Sequence, residues 1–249
     1  MNNLIKIQIC SNKEETGRLA AEKAARMLQR ILDSKSKAWF VAATGASQFE
    51  FLNFLCKAEN IDWSRTEMFH LDEYIGILAT HPASFRKYLT EHLINKVHLG
   101  KINLIKGDAI DPEIECKRIG RLISKESIDI AFIGIGENGH IAFNDPPADF
   151  RTEEPYIIVD LDEKCRRQQI GEGWFSSMEE VPRRAISMSV KQIMKSECII
   201  CICPEKRKAE AVRDCLSDAA PISPNHPASI LKKHKNAYIF LDKESASLL

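Results

Sequence analysis

The 249-residue chain predicts one α/β domain with a largely parallel sheet, on three observations. Short apolar runs of strand length alternate with stretches whose apolar residues recur at helical spacing. The run at 128–134 is almost wholly apolar, as a parallel strand covered on both faces requires. No repeat, low-complexity tract or Pro/Gly/Ser linker interrupts the series, so residues 1–249 read as a single domain.

The elements follow in order. Residues 4–10 read as a first strand, and Ser11 or Asn12 caps a helix running to about Asp33, with Leu19, Ala20, Lys23, Ala24, Met27, Leu28 and Ile31 at helical spacing. A second apolar strand, 38–43, breaks at Thr44-Gly45-Ala46-Ser47 before a helical stretch carrying Phe49, Phe51, Leu52 and Leu55. Strand 66–71 precedes helices at 84–95 and 113–124. After 128–134, three more apolar stretches (156–161, 185–190 and 197–203) read as strands, followed by a helix at about 206–216 and a last strand near 237–241.

Composition narrows the function. With 44% hydrophobic and 28% charged side chains, the chain is neither disordered nor collagenous nor membrane-like. Thirty-five Lys and Arg balance thirty-five Asp and Glu, leaving no global positive field for nucleic acid or an anionic membrane. An anionic ligand must be caught locally. No apolar run reaches the ~18 residues of a membrane span, and residues 1–10 lack a signal-peptide pattern, so a cytoplasmic protein is expected. The eight cysteines are scattered and read as reduced thiols. Cys198, Cys201 and Cys203 form C-x-x-C-x-C inside an apolar run with the character of a buried strand, where cysteine behaves as a small hydrophobe. No second Cys or His pair has zinc-like spacing, and no metal is expected.

Ligands on open α/β sheets gather at the carboxyl ends of strands, so three loops carry the chemistry. In Thr44-Gly45-Ala46-Ser47, Gly45 lets backbone amides approach an anion and two hydroxyls add donors. It is a phosphate cradle or simply a helix-capping turn, and it is not a Walker loop, lacking that motif's second glycine and lysine. His70-Leu71-Asp72-Glu73-Tyr74 places two carboxylates at a strand end. Neighbours on an extended segment point opposite ways, so at most one faces a pocket and serves as a proton-transfer group; the plain alternative is a solvated acidic loop.

The third loop, Gly134-Ile135-Gly136-Glu137-Asn138-Gly139-His140-Ile141-Ala142-Phe143-Asn144-Asp145-Pro146-Pro147, opens with a dinucleotide-like G-x-G-x-x-G, with Asp160 or Asp162 at about the expected distance. Yet Asn144-Asp145-Pro146-Pro147 halts any helix within two turns, which argues against nicotinamide or flavin. What remains is a glycine run ending in His140, with Asn138 and Asp145 near in sequence. Such a histidine moves protons to and from a sugar ring oxygen, or is merely structural.

Together, Thr44-Gly45-Ala46-Ser47, Leu71-Asp72-Glu73-Tyr74 with His81-Pro82-Ala83-Ser84, and the segment from Gly134 to Pro146 resemble, in order and spacing, the glucosamine-6-phosphate deaminase (isomerase) family. The resemblance spans about residues 5–242 and is most specific in Gly-Ile-Gly-Glu-Asn-Gly-His-Ile-Ala-Phe-Asn-Asp-Pro. That family is similar in fold to ribose-5-phosphate isomerase and 6-phosphogluconolactonase, which implies a Rossmann-like three-layer α/β/α sandwich with a mainly parallel sheet. The reaction implied converts glucosamine 6-phosphate and water into fructose 6-phosphate and ammonia, with no cofactor. By the same resemblance Asp72 is the acid/base carboxylate that moves a proton between C2 and C1, and His140, supported by Asn138 and Asp145, assists ring opening. Thr44, Gly45, Ala46 and Ser47 form the phosphate loop, Lys208 is the phosphate lysine, and Gly136, Ala142 and Arg166 join the substrate contacts. The implied partner is a small-molecule sugar phosphate, not nucleic acid or membrane, and a homo-oligomer is left open.

Departures from the family pattern matter too. Asn138 stands where many members have Asp, and Asp145 where they often have Glu. Residues 161–182 resemble the family's lid, but Gln168-Gln169-Ile170-Gly171-Glu172-Gly173-Trp174-Phe175 lacks the phosphate arginine, leaving Arg166 or Arg167 as substitutes. Gly171 and Gly173 fit either a closing loop covered by Trp174 and Phe175 or a fixed loop packed on the body. The chain ends short of the tail of allosterically regulated members, so regulation by an acetylated amino sugar is not expected. Three alternatives stay open: a galactosamine-6-phosphate deaminase, differing by one epimeric hydroxyl; a 6-phosphogluconolactonase, which usually carries Asp-Glu-Arg at 72–74; and a non-catalytic sugar-phosphate sensor.

Overall fold

The computed structural model describes residues 5–249; the expected strand start at Leu4 lies outside them. Seven strands form a wholly parallel sheet: β1 (Lys6–Cys10), β2 (Ala38–Ala42), β3 (Thr66–His70), β5 (Lys101–Asn103), β6 (Ile130–Ile133), β9 (Cys198–Ile202) and β10 (Ala237–Asp242). Their order is β1-β10-β9-β6-β2-β3-β5. Alternation along each central strand feeds two separate cores. Phe40, Ile130, Phe132, Ile200 and Ile202 face one layer, while Val41, Ala131, Ile133, Ile199 and Cys201 face the other.

The first layer is α1 (Lys13–Ser34) and α2 (Phe49–Leu55) with the segment around Tyr88–Leu93; the second holds α4 (Pro112–Ile123), α6 (Val190–Met194) and α7 (Ala209–Leu216). This is the three-layer sandwich. Helix α1 starts where the Asn12 side chain accepts from Glu15 N at 2.9 Å, and it buries Ala20, Ala24, Leu28 and Leu32. It crosses α2 at Gly17, where a Cβ would come within 2.5 Å of Glu50 Cβ and 2.7 Å of Phe51 N. Cys198 and Cys201 lie buried in β9, and all eight cysteines are free thiols. Among the described residues no helix is long and apolar enough to cross a membrane.

The structure adds a second sheet. Residues 156–161 and 185–190 do contain strands, β7 (Tyr156–Asp160) and β8 (Arg184–Met188), but they pair antiparallel with β4 (Asp72–Tyr74) in the order β4-β8-β7 instead of extending the parallel sheet. β7 buries only Tyr156 fully, as fits a strand with one face toward solvent. The helix expected at 84–95 is α3 (Phe85–Leu89) continued by a wider π-type turn, Thr90–Ile94. The helix expected from 206 begins as a 3-10 turn, Lys206–Lys208, before α7. A polar helix, α5 (Glu163–Gly171), lies within the 161–182 segment expected to form a lid.

Candidate active site

Strands β2 and β3 were laid down in one direction from the sheet centre and β6, β9 and β10 in the other. The order reverses between β2 and β6, and the crevice outside their carboxyl ends is where such sheets bind ligands. An open cleft lies there, lined by the loops after β2, β3, β6 and β9 and by α5. Asp72, His140, Thr44, Gly45, Ala46, Ser47, Gly136, Ala142 and Lys208 all line it.

Asp72 begins β4 and is held there by pairing opposite Ser187 of β8. Burial, followed by the charge of Glu73, pushes its carboxyl up to about 8. Glu73 points the other way, as alternation demands. It accepts from Ser84 Oγ at 2.8 Å, Phe85 N at 3.1 Å and Arg86 N at 2.9 Å, and pins the start of α3. One of the two adjacent acids is thus a brace and the other faces the cleft.

The loop after β6 carries His140. Its ring sits against Gly136, where a Cβ would fall 2.3 Å from imidazole atoms, so a glycine is required for the ring to lie where it does. Prolines 146 and 147 follow, no helix forms, and the dinucleotide arrangement is absent from this loop. His140 Nδ1 is 2.9 Å from Asp145 Oδ1. Asn138 contributes indirectly: its Nδ2 donates to Asp145 Oδ1 at 2.9 Å, while its Oδ1 accepts from the His140 backbone at 3.1 Å. Burial works to raise the Asp145 carboxyl, but the His140 ring, Asn138 and the Asp162 amide outweigh it and hold the group below the usual range. An ionised Asp145 places the imidazole proton on Nδ1 and leaves Nε2 as an acceptor.

Sequence reasoning missed Cys165 and weighed Asp162 only as a dinucleotide-binding acid. Asp162 caps α5, and it takes a hydrogen bond from Asn138 Nδ2 at 3.1 Å while its own N donates to Asp145 Oδ2 at 3.0 Å. The capping Ser/Thr/Asp/Asn signal ahead of a helix was the available clue. Cys165, His140 and Asp145 bring one potential metal-ligand atom each within 4.8 Å of one another. Burial and then the charge of Asp145 keep the Cys165 thiol protonated, while Asp145 is engaged by His140.

Also on the cleft lining, Gly45 has φ +98° and opens a 3-10 turn, Ala46–Gln48, that runs into α2. Lys208 is only 4% exposed, yet among the described residues its ammonium has no hydrogen-bonded or ion-paired partner. Burial drives its pKa down, as expected of a cation awaiting a counter-charge. Arg207, also lining the cleft, was not anticipated. Its Nη1 lies 2.9 Å from Glu137 and 3.0 Å from Glu172, and its Nε 2.6 Å from Glu205.

Arg166, expected to contact substrate, does not reach the cleft. Its guanidinium is spent on the carbonyls of Met178 and Val181, tying the segment after α5 to that helix. Arg167 faces solvent against Glu163. The aromatic pair packs on the body: Trp174 stacks on Phe49 with centroids 6.3 Å apart, and Phe175 meets Tyr74 edge-on at 5.5 Å.

Residues 11–240 match the family described as glucosamine-6-phosphate isomerases/6-phosphogluconolactonase. A glucosamine-6-phosphate deaminase from Clostridium botulinum (strain Langeland) is 37% identical over 98% of this chain and 99% of its own length. One from Streptococcus pyogenes serotype M1 is 37% identical over 83% of this chain and 86% of its own. A solved structure of a monomeric glucosamine-6-phosphate deaminase superposes with a TM-score of 0.87 at 32% identity, covering 98% of this chain and 100% of that one. A putative 6-phosphogluconolactonase from Neisseria gonorrhoeae, 18% identical with a TM-score of 0.75 over 96% of this chain and 99% of that one, shares the fold. By the family match and the full-length relatives, the chain belongs to the glucosamine-6-phosphate isomerase/6-phosphogluconolactonase family.

Proposed function

We propose that the chain converts glucosamine 6-phosphate and water into fructose 6-phosphate and ammonia. The observation that carries this reading is one cleft lined together by a proton-transfer carboxyl, an imidazole, a buried lysine without an ion-pair partner and a glycine turn. A hexose phosphate needs those groups at its two ends. The names of the relatives at 37% identity favour an amino-sugar phosphate over a lactone.

The chemistry divides between the two groups. His140 Nε2 takes the proton from the C1 hydroxyl and returns it to the ring oxygen, opening the ring; Asp145 and Asn138 hold the imidazole for this. Ionised Asp72 then removes the proton from C2 as the substrate's ammonium group gives a proton to the aldehyde oxygen, forming an enolamine, and Asp72 hands its proton to C1 to leave an iminium at C2. Water adds to C2, and the C–N bond breaks to release ammonia. Lys208 and the 44–47 loop hold the phosphate, Gly136 and Ala142 shape the wall, and residues 161–182 cover the cleft. No cofactor enters these steps.

Ammonia release from purified protein tests this, with glucosamine 6-phosphate and galactosamine 6-phosphate offered in parallel and 6-phosphogluconolactone followed by lactone consumption. Release from the gluco epimer is expected, falling about 10³-fold in Asp72→Asn. Lactone turnover without ammonia release would overturn the assignment.

A further inference from the structure

The cleft contains a carboxylate that the proposed reaction does not use. Glu172, at the end of α5, has a side chain only 6% exposed and lines the cleft. Its Oε1 is 3.0 Å from Arg207 Nη1, and a Cβ at Gly45 would lie 3.9 Å from its Oε2. Gln168 Nε2 donates to Oε1 at 2.8 Å and Trp174 Nε1 to Oε2 at 3.1 Å. Burial works to raise its pKa, but Lys208, Arg207 and the two hydrogen bonds prevail and keep it below the usual range. An anion is therefore already built against the Arg207 guanidinium and beside the glycine turn that an anionic ligand would use.

We infer that Glu172 is a specificity-determining residue: its carboxylate competes with the ligand's phosphate for Arg207. This deepens the reading of the cleft as a sugar-phosphate site and rests on it. Arg207 suits the exchange. Glu137 and Glu205 also grip its guanidinium, at 2.9 and 2.6 Å, so its fork stays aligned when one of its three acids is replaced. A phosphate carries nearly two charges and three acceptor oxygens near neutrality, against one charge and two oxygens on Glu172. The phosphate can therefore win where a singly charged group cannot, and the lid-borne carboxylate turns the cradle into a filter for charge. Arg207 also supplies, from the body of the protein, the guanidinium missing from the lid segment.

Titration of the full-length chain with inorganic phosphate, read by calorimetry and by tryptophan emission, tests the inference independently of turnover. Glu172→Gln keeps the shape and the Trp174 acceptor but removes the charge, and is expected to bind phosphate about tenfold more tightly than the parent. Glu172→Ala is expected to shift in the same direction, and Arg207→Gln to bind more weakly. In the parent, phosphate should change the emission of Trp174, whose indole N–H loses its acceptor, and the change should vanish in Trp174→Phe. Equal or weaker phosphate binding by both Glu172 variants overturns the inference, as does phosphate binding that leaves Trp174 emission untouched. Tighter binding by the variants in a protein that releases no ammonia would uphold the competition and count only against the reaction.

Discussion

A carboxyl that takes a proton from carbon near neutral pH works best with a pKa close to the working pH, and Asp72 reaches about 8 through burial and the nearby Glu73. The cost falls on stability. Its folded pKa lies above the ordinary 3.8, so the stability it contributes is complete below about pH 4 and is lost as pH rises through about 8. Holding the ionised form buried costs ~5 kcal/mol above pH 8, and a buried, unpaired amide in its place costs ~1–3 kcal/mol. Asp72→Asn should therefore be more stable than the parent by on the order of 2 kcal/mol at about pH 8, with the sign reversing towards pH 4, where the parent carboxyl is largely protonated and the cost of the amide remains. Urea denaturation across pH measures it, and a variant no more stable at pH 8 would contradict the burial argument. Turnover should run the other way, with kcat/KM rising with pH up to about 8 as Asp72 ionises. Gly136→Ala isolates the partner group. The added methyl must displace the His140 ring, so kcat should fall about 10²-fold while phosphate affinity holds. A drop confined to phosphate affinity would place the ring elsewhere in the reaction.

At the scale of elements, two glycines in helices make opposite predictions. Gly17→Ala gains ~1 kcal/mol of helix propensity but drives a methyl into the backbone of α2, whose Glu50 C and Phe51 N would lie 2.8 and 2.7 Å away, so a net loss of ~2 kcal/mol is expected. Gly120→Ala in α4 meets only Pro155 Cδ at 3.9 Å and should gain ~0.5–1 kcal/mol. Urea midpoints shifting the same way in both would defeat the close-approach reading of α1 on α2. The same elements show what sequence could reveal. Helix α1 and the strands β2, β6 and β9 were legible because burial on one stripe or on both faces leaves a periodic or continuous apolar signal. β4 was not, since Asp-Glu-Tyr reads as a polar loop until Ser84 and the amides of Phe85 and Arg86 satisfy Glu73. Nor was α5, which buries just Cys165 and Gln169. Asp72, His140 and the 44–47 turn stood out as local motifs, Lys208 came from the family resemblance alone, and all of them share the cleft, whereas Arg207 with Glu172 is a pairing across 35 residues that no local pattern encodes.

For the molecule as a whole, the cleft is where its parts are joined. Leu71 links the two sheets: its N donates to Ala42 O at 3.2 Å and its O accepts from Met188 N at 2.9 Å. The His140 loop is fastened to β8 through Phe143 N to Ser187 Oγ at 3.0 Å and Asn144 Nδ2 to Met188 O at 2.9 Å. Helix α5 is tied to β4 by Tyr74 Oη donating to Gln169 Oε1 at 2.7 Å, and to the glycine loop by Glu137 N donating to Gln168 Oε1 at 3.0 Å. An anion held in this cleft binds only when both sheets and α5 are in place, so it should stabilise them together as one unfolding unit. At about one hundred times its Kd, phosphate should add ~2.7 kcal/mol and raise a single melting transition by about 5–10 °C in a chain of this size. Lys208→Ala should lose that shift, because it removes the buried ammonium that lines the cleft. Calorimetric melting with and without phosphate decides it: two transitions, of which phosphate moves one, would mean that the cleft does not hold the two sheets as a unit.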